Sequence, residues 1–253
     1  MAELSMSLSR DTRAEQEKTQ SAQELLDCFL RICEGENWRI EIVPGPRLWL
    51  DLMESHGFWA NPCFNPDKSD VDESNTMSIT IHDADGKFVA TNVMRIFETE
   101  NFNEIMASGV VFHGLGCPLR RPIPLVLPRT HPNLSGLIGY SGGTVISHSK
   151  RGLRLGLMTT RIVRCLAEIS VKADWHSCHI LHNRPGEMAA NPYHFARADK
   201  CFPELKLPDR QEPLPVWLLD ITREEFLTQA ARNVSDLIEK GQQNVGDLAL
   251  LTP

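Results

Sequence analysis

Apolar and polar positions follow two rhythms along this chain, and each predicts a different element. From Ala22, the apolar residues Leu25, Leu26, Phe29, Leu30 and Cys33 recur every three or four positions and stop at Gly35. That spacing predicts an amphipathic helix ended by a residue that accepts left-handed backbone. Trp38 to Val43 alternates apolar and polar residues and reads as a strand; Leu48, Leu52, Met53 and His56, after Pro46, read as a helix. Two β-rich runs, Thr76–Asp83 and Lys87–Phe97, flank Asp85-Gly86 and predict a hairpin. After a stretch rich in Gly and Pro, Gly143–His148 reads as a short strand, and Leu155, Met158, Ile162, Leu166 and Ile169 mark a helix from Leu153 to Lys172. Trp175–Leu181 is a further strand, and Glu187–Phe195 is a short helix interrupted by Pro192. Val216–Asp220 is another strand, followed by a helix that opens at Thr222-Arg-Glu-Glu and reaches Lys240.

This order implies one α/β domain over residues 21–240, between a polar N-terminal stretch (1–20) read as a mobile tail and a C-terminal tail (241–253). Residues 108–136 form a long Gly/Pro-rich loop, which inside a domain is either functional or an insertion. The chain has 253 residues and a net charge of −7, which argues against a general nucleic-acid binder, since such a protein needs excess Lys and Arg to neutralise phosphates. Seven cysteines, none in a CxxC pair, suit free thiols in a reducing compartment, and the expectation is a cytoplasmic protein. No apolar run approaches the roughly 20 residues of a membrane helix.

Charge becomes informative once it is divided along the chain. Between His148 and Lys172 there are six Lys/Arg (Lys150, Arg151, Arg154, Arg161, Arg164, Lys172) against one acid, Glu168. This +5 segment leaves −12 for the rest of the chain. Three of the cations crowd the strand-to-helix turn together with Gly152 and Gly156. The first N–H groups of a helix lack partners and carry the positive end of its dipole, so such a turn is suited to an anion. A solvated helix face is the plain alternative. The turn is neither a Walker loop nor a GxGxxG fingerprint.

The run Arg151-Gly152-Leu153-Arg154-Leu155-Gly156 resembles the pyrophosphate-binding motif of the GNAT superfamily of CoA-dependent N-acyltransferases, with Arg154 where a glycine is usual. The order of elements from about residue 22 to 200 is similar too. The resemblance implies a mixed, mostly antiparallel central sheet flanked by helices, and acetyl-CoA or a longer acyl-CoA as co-substrate. A splayed strand pair would expose backbone donors to the pantetheine. The implied CoA contacts are Val145, Ile146, Lys150, Arg151, Gly152, Leu153, Arg154, Leu155, Gly156, Leu157 and Asn183. The implied reaction is direct acyl transfer to the amine of a small molecule or amino acid. Tyr193 is the candidate general acid, in a stretched version of the family's Asn-x-x-Ala-x-x-x-Tyr, and His148 is the best-placed base. The segment 108–136 is then a candidate lid, whose His113, Arg120 and Arg121 would meet a substrate carboxylate.

Three rival readings stand beside this one. A non-catalytic module that keeps the fold and the CoA site is favoured by Arg154 and by the missing carboxylate base. A branch that makes N-acyl amino acids or acyl-homoserine lactones would suit the extra strand and helix at 216–240. The third is a metal held by His176, Cys178 and His182 on one strand face, with His179 on the other; no carboxylate lies in that run, and no metal site is expected. The expected partners are an acyl-CoA and a small amine, with neither nucleic acid nor membrane, and a homodimer is left open.

Overall fold

The computed structural model of this chain describes residues 2–116, 122–181, 193–207, 212–239 and 245–251. Among the described residues, seven strands form one sheet in the order β1-β2-β3-β4-β5-β7-β6. They are β1 (Arg39–Val43), β2 (Thr76–His82), β3 (Phe88–Thr99), β4 (Gly136–Ile146), β5 (Trp175–Leu181), β6 (Arg197–Leu205) and β7 (Leu214–Thr222). Every pairing is antiparallel except β4 with β5, which is parallel. The expected mixed, mostly antiparallel sheet flanked by helices is what the chain forms.

Helices cover both faces. On one lie α1 (Ala2–Gly35), α5 (Leu155–Val171) and α6 (Arg223–Glu239), whose apolar stripes meet Ile79, Ile81, Met94, Leu219 and Ile221 of the sheet. On the other, α2 (Gly45–Ser55), α3 (Phe102–Ala107) and α4 (Val110–His113) pack with Phe64 against Val93, Phe97, Tyr140 and Leu218. A strand alternates its side chains between faces, so a sheet with helices on both sides must be apolar on both. Among the described residues no helix is long and apolar enough to cross a membrane.

Several boundaries depart from the sequence reading. The first helix runs back from Ala22 to Ala2, over the stretch expected to be a tail; residues 2–34 hold neither Gly nor Pro to stop it. At the other end, residues 245–250 form a 3₁₀ turn that buries Val245 and Leu248 against the first core, and the Val245 amide donates to Glu36 at 3.0 Å. Strand β4 begins at Gly136, seven residues before the expected start, because its first half is glycine-rich and reads as loop. Strand β6 was not anticipated at all: its charges and Pro203 suit an edge position, where one side of the backbone needs no partner. The 108–136 segment contributes α4, and its extended part donates one backbone bond to β6, from Val126 to Cys201 at 2.9 Å. Ile123, Leu125 and Leu127 of that part pack on the second core.

The helix opening at Thr222 is the expected capping box. The Glu225 amide donates to the Thr222 hydroxyl at 3.1 Å, and the Thr222 amide donates to the Glu225 carboxylate at 2.8 Å.

Candidate functional site

Strands β4 and β5 pair only over Ile138–Ser141 and Trp175–Cys178. Beyond that point both continue, β4 to Ile146 along β3 and β5 to Leu181 along β7, so they part and form a fork. Backbone groups on the two facing edges are thereby released from sheet bonding, which leaves donors and acceptors for a ligand. A bulge on β4 drives the separation: Thr91 faces Val145 while Val93 already faces Gly142, so β4 holds one extra residue there. Gly143, at φ +55, supplies the left-handed turn, and a Cβ on it would lie 2.6 Å from Trp49 and 2.8 Å from Val93. Only glycine fits both demands.

The fork encloses a cavity of about 350 Å³. Ser141, Gly142 and Thr144 line it from β4, Cys178 and Ile180 from β5, and Thr160 from α5. Tyr193 closes one side, and its hydroxyl lies 3.3 Å from where a Cβ on Gly156 would stand. Gly156, in the first turn of α5, thus lets the helix approach the fork closely. Asn92 of β3 ties these parts together, donating to the Thr144 hydroxyl at 2.7 Å and the Thr160 hydroxyl at 3.2 Å.

Burial sets the protonation states here. It pushes the Tyr193 hydroxyl above its ordinary value, so the group holds its proton at neutral pH. The Cys178 thiol is pushed up to about 12, and His179 is pushed down to about 3, each by loss of water. His179 lies within 3.0 Å of the Tyr140 hydroxyl and 3.1 Å of the Met106 sulfur. It is therefore a neutral wall residue.

The basic turn is smaller than the charge count suggests. Ser147 leads into a 3₁₀ turn, His148–Lys150, and α5 starts at Leu155 rather than Leu153. Lys150 sits 5.4 Å over the Trp38 ring, while Arg151 and Arg154 are exposed. Arg161 and Arg164, by contrast, are each 1% exposed, and Lys172 caps the far end of the helix. Glu168 is buried and bonded by Arg223 at 2.6 Å. A count along the sequence merges helix faces that the fold separates, and only the three cations expected at the turn, Lys150, Arg151 and Arg154, lie there. Arg154 stands at φ +57, the conformation that the usual glycine would take.

The remaining expected residues divide by place. Val145 packs toward the second core, Ile146 and Leu153 toward the first, and Leu155 and Leu157 are buried, so none of these five points freely at the turn. His148 is exposed and does not line the cavity. His113 is buried, its Nε2 lies 3.0 Å from the Lys206 carbonyl, and it too lies outside the cavity lining. Arg120, Arg121, Asn183 and His182 lie outside the described residues. His176 and Cys178 share a face of β5 as expected, but among the described residues no cluster of three metal-ligating side chains occurs. Thr144, Thr160 and Asn92 were not anticipated; the doubled glycine Gly142-Gly143 inside a strand was the available sign of the bulge.

No family's sequence profile matches the chain, and no curated protein does. Among solved structures, mutant forms of the spermidine/spermine N-acetyltransferase SpeG from Vibrio cholerae share 9% identity, with 77% of this chain and 98% of that one covered and a TM-score of 0.43. NAA60 from Arabidopsis thaliana, in complex with a bisubstrate analogue, shares 7%, covering 73% and 98% at a TM-score of 0.42. SpeG in complex with CoA and spermine shares 8%, covering 72% and 77% at 0.36. The chain is similar to these acetyltransferases, and a likeness of that depth assigns it neither their activity nor their substrates.

Proposed function

We propose that this protein transfers an acyl group from acyl-CoA to an amine, with the chemistry in the fork between β4 and β5. One observation carries the reading: two parallel strands part beside a bulge, and the protonated hydroxyl of the half-buried Tyr193 stands in the gap they leave. An extended pantetheine arm would run along the edge of β4 that β5 abandons. The diphosphate would lie at the first turn of α5, where helix amides and the cations Lys150, Arg151 and Arg154 favour negative charge.

The amine attacks the thioester carbonyl, the C–S bond breaks, and the thiolate takes a proton from Tyr193, giving an amide and free CoA thiol. The surplus proton of the attacking nitrogen passes to water, and Tyr193 is reprotonated from solvent. The base expected at His148 is replaced in this reading by solvent, because that side chain stands outside the cavity. His179 is held neutral far below physiological pH, so no described cavity group serves as a base near neutrality. The amine must therefore enter unprotonated. The fork would supply mainly positioning and backbone donors to the developing oxyanion.

Thermal-shift titration with acetyl-CoA and a long-chain acyl-CoA, followed by thiol release across a panel of primary amines, tests the reading. Stabilisation by a CoA species together with amine-dependent thiol release is expected; no stabilisation by any CoA species would end it. Binding without thiol release would select the second reading, a CoA-binding module without catalysis, which Arg154 in the place of a glycine favours.

A further inference from the structure

Two buried cations of α5 have no part in the scheme above. Arg161 and Arg164 are each 1% exposed, lie one helical turn apart, and face no carboxylate among the described residues. Burial pushes Arg161 down to about 9 and Arg164 to about 10, which shows how little compensates the loss of water. A buried charge with no counter-charge is expensive, and apolar residues of similar volume fill a core at lower cost. Packing alone is thus a poor account of either residue.

Their contacts converge on three consecutive residues. Arg164 Nη1 donates to the Tyr193 carbonyl at 3.1 Å and reaches the His194 carbonyl at 3.5 Å. Its guanidinium also covers the Phe195 ring at 3.7 Å. Arg161 Nη2 meets His194 Nδ1, and His194 makes a further hydrogen bond to the backbone of Leu251. His194 stands at φ +53, in the left-handed region that few non-glycine residues adopt. The planar fork of an arginine suits this task, because one rigid group can bond carbonyls and stack on a ring at once.

We propose that Arg164, assisted by Arg161, is a positioning residue that clamps residues 193–195 and thereby fixes the Tyr193 hydroxyl in the fork. The clamp acts through the backbone on the far side of the tyrosine from its hydroxyl. Loss of Arg164 therefore moves the acid without altering the turn before α5. The catalytic consequence rests on the acyl-transfer reading; the position of Tyr193 does not.

The test measures both. In Arg164→Met, Tyr193 escapes toward water, and ultraviolet titration of the chain's two tyrosines should show one ionising near the ordinary value of about 10, whereas both lie above it in the parent protein. In thiol release, kcat should fall on the order of 10- to 100-fold, as misplacement of a reacting group does, with KM for acyl-CoA unchanged. Arg164→Lys, which retains a donor, should recover most of that loss. Arg161→Met should move the titration the same way by less, and it decides the matter if Arg164→Met does not fold. A folded variant with the parent's tyrosine titration would overturn the proposal whether or not turnover is found. An inactive parent protein with the expected titration would overturn acyl transfer and leave the clamp standing.

Discussion

The bulge that opens the fork can be tested as a matter of geometry before any activity is known. Three glycines separate the two demands made on Gly143. Gly86, in the hairpin turn, has φ +75 and nothing within 4 Å of an added Cβ, so Gly86→Ala meets only the left-handed penalty, about 1–2 kcal/mol. Gly142 has no such φ, but its Cβ would stand 2.7 Å from the Phe64 ring, so Gly142→Ala meets only overpacking, about 1–3 kcal/mol. Gly143→Ala meets both: φ +55, with Trp49 at 2.6 Å and Val93 at 2.8 Å. Trp49 cannot move cheaply, because it is fully buried and its indole N–H donates to the Thr91 hydroxyl at 3.2 Å. The combined cost is about 2–5 kcal/mol. In a domain of this size each kcal/mol lowers Tm by about 2–4 °C. Urea unfolding of the three variants should rank Gly143→Ala below both others by at least about 1 kcal/mol, with m unchanged. Equal losses in Gly143→Ala and Gly86→Ala would show that the core beneath the bulge yields, and would refute the argument that the fork needs a glycine there.

Four further outcomes follow from the site and the buried histidines. Tyr193→Phe should lower kcat for thiol release about 10²-fold or more while CoA affinity stays within about twofold; an unchanged kcat removes the tyrosine from the chemistry. With no described cavity group titrating near neutrality, kcat/KM should rise about tenfold per pH unit until the pKa of the amine itself, and an inflection near pH 6.5 would contradict that. Arg151→Glu places an acid on the exposed turn, so calorimetric titration with CoA should show a loss of about 10- to 100-fold while Tm holds. Stability should fall on acidification below pH ~6.5, since His176 is pushed well below that value and His179 and His194 to about 3, all by burial. The sign follows from proton uptake: the unfolded chain protonates first, and three such groups give a slope of about 4 kcal/mol per pH unit above the folded values. Urea unfolding at stepped pH measures it, and a flat profile from pH 6 to 5 would contradict the burial of these rings.

Elements with a strong period were legible from the residues alone. Strand β5 spans its expected limits, Trp175–Leu181, and α5 is displaced by two residues at its start. The reason is physical: a long apolar stripe or a β-branched alternation is written locally. What escaped depends on partners distant in sequence. Strand β6 looks like loop until β7 supplies its ladder, and the first half of β4 is glycine-rich because side chains of Asp174, Met94 and His176 occupy the space beside Gly136 and Gly139. At the site, the turn before α5 was legible from its glycines and cations, whereas Tyr193 was suggested only by the likeness of Asn183…Tyr193 to a family motif. The burial of Arg161 and Arg164 was not, because position on a helix surface says nothing about which neighbour covers it.

The packing of α1 carries a consequence for the order of events during synthesis. Leu25, Phe29 and Ile32 of this helix meet α5, α6 and the 3₁₀ turn at 245–250, and none of those segments exists when α1 leaves the ribosome. Its apolar stripe must wait until those later segments are made, exposed to any nascent-chain binder. Closure of this face is then a long-range event, and α1 is buried only well after its own synthesis.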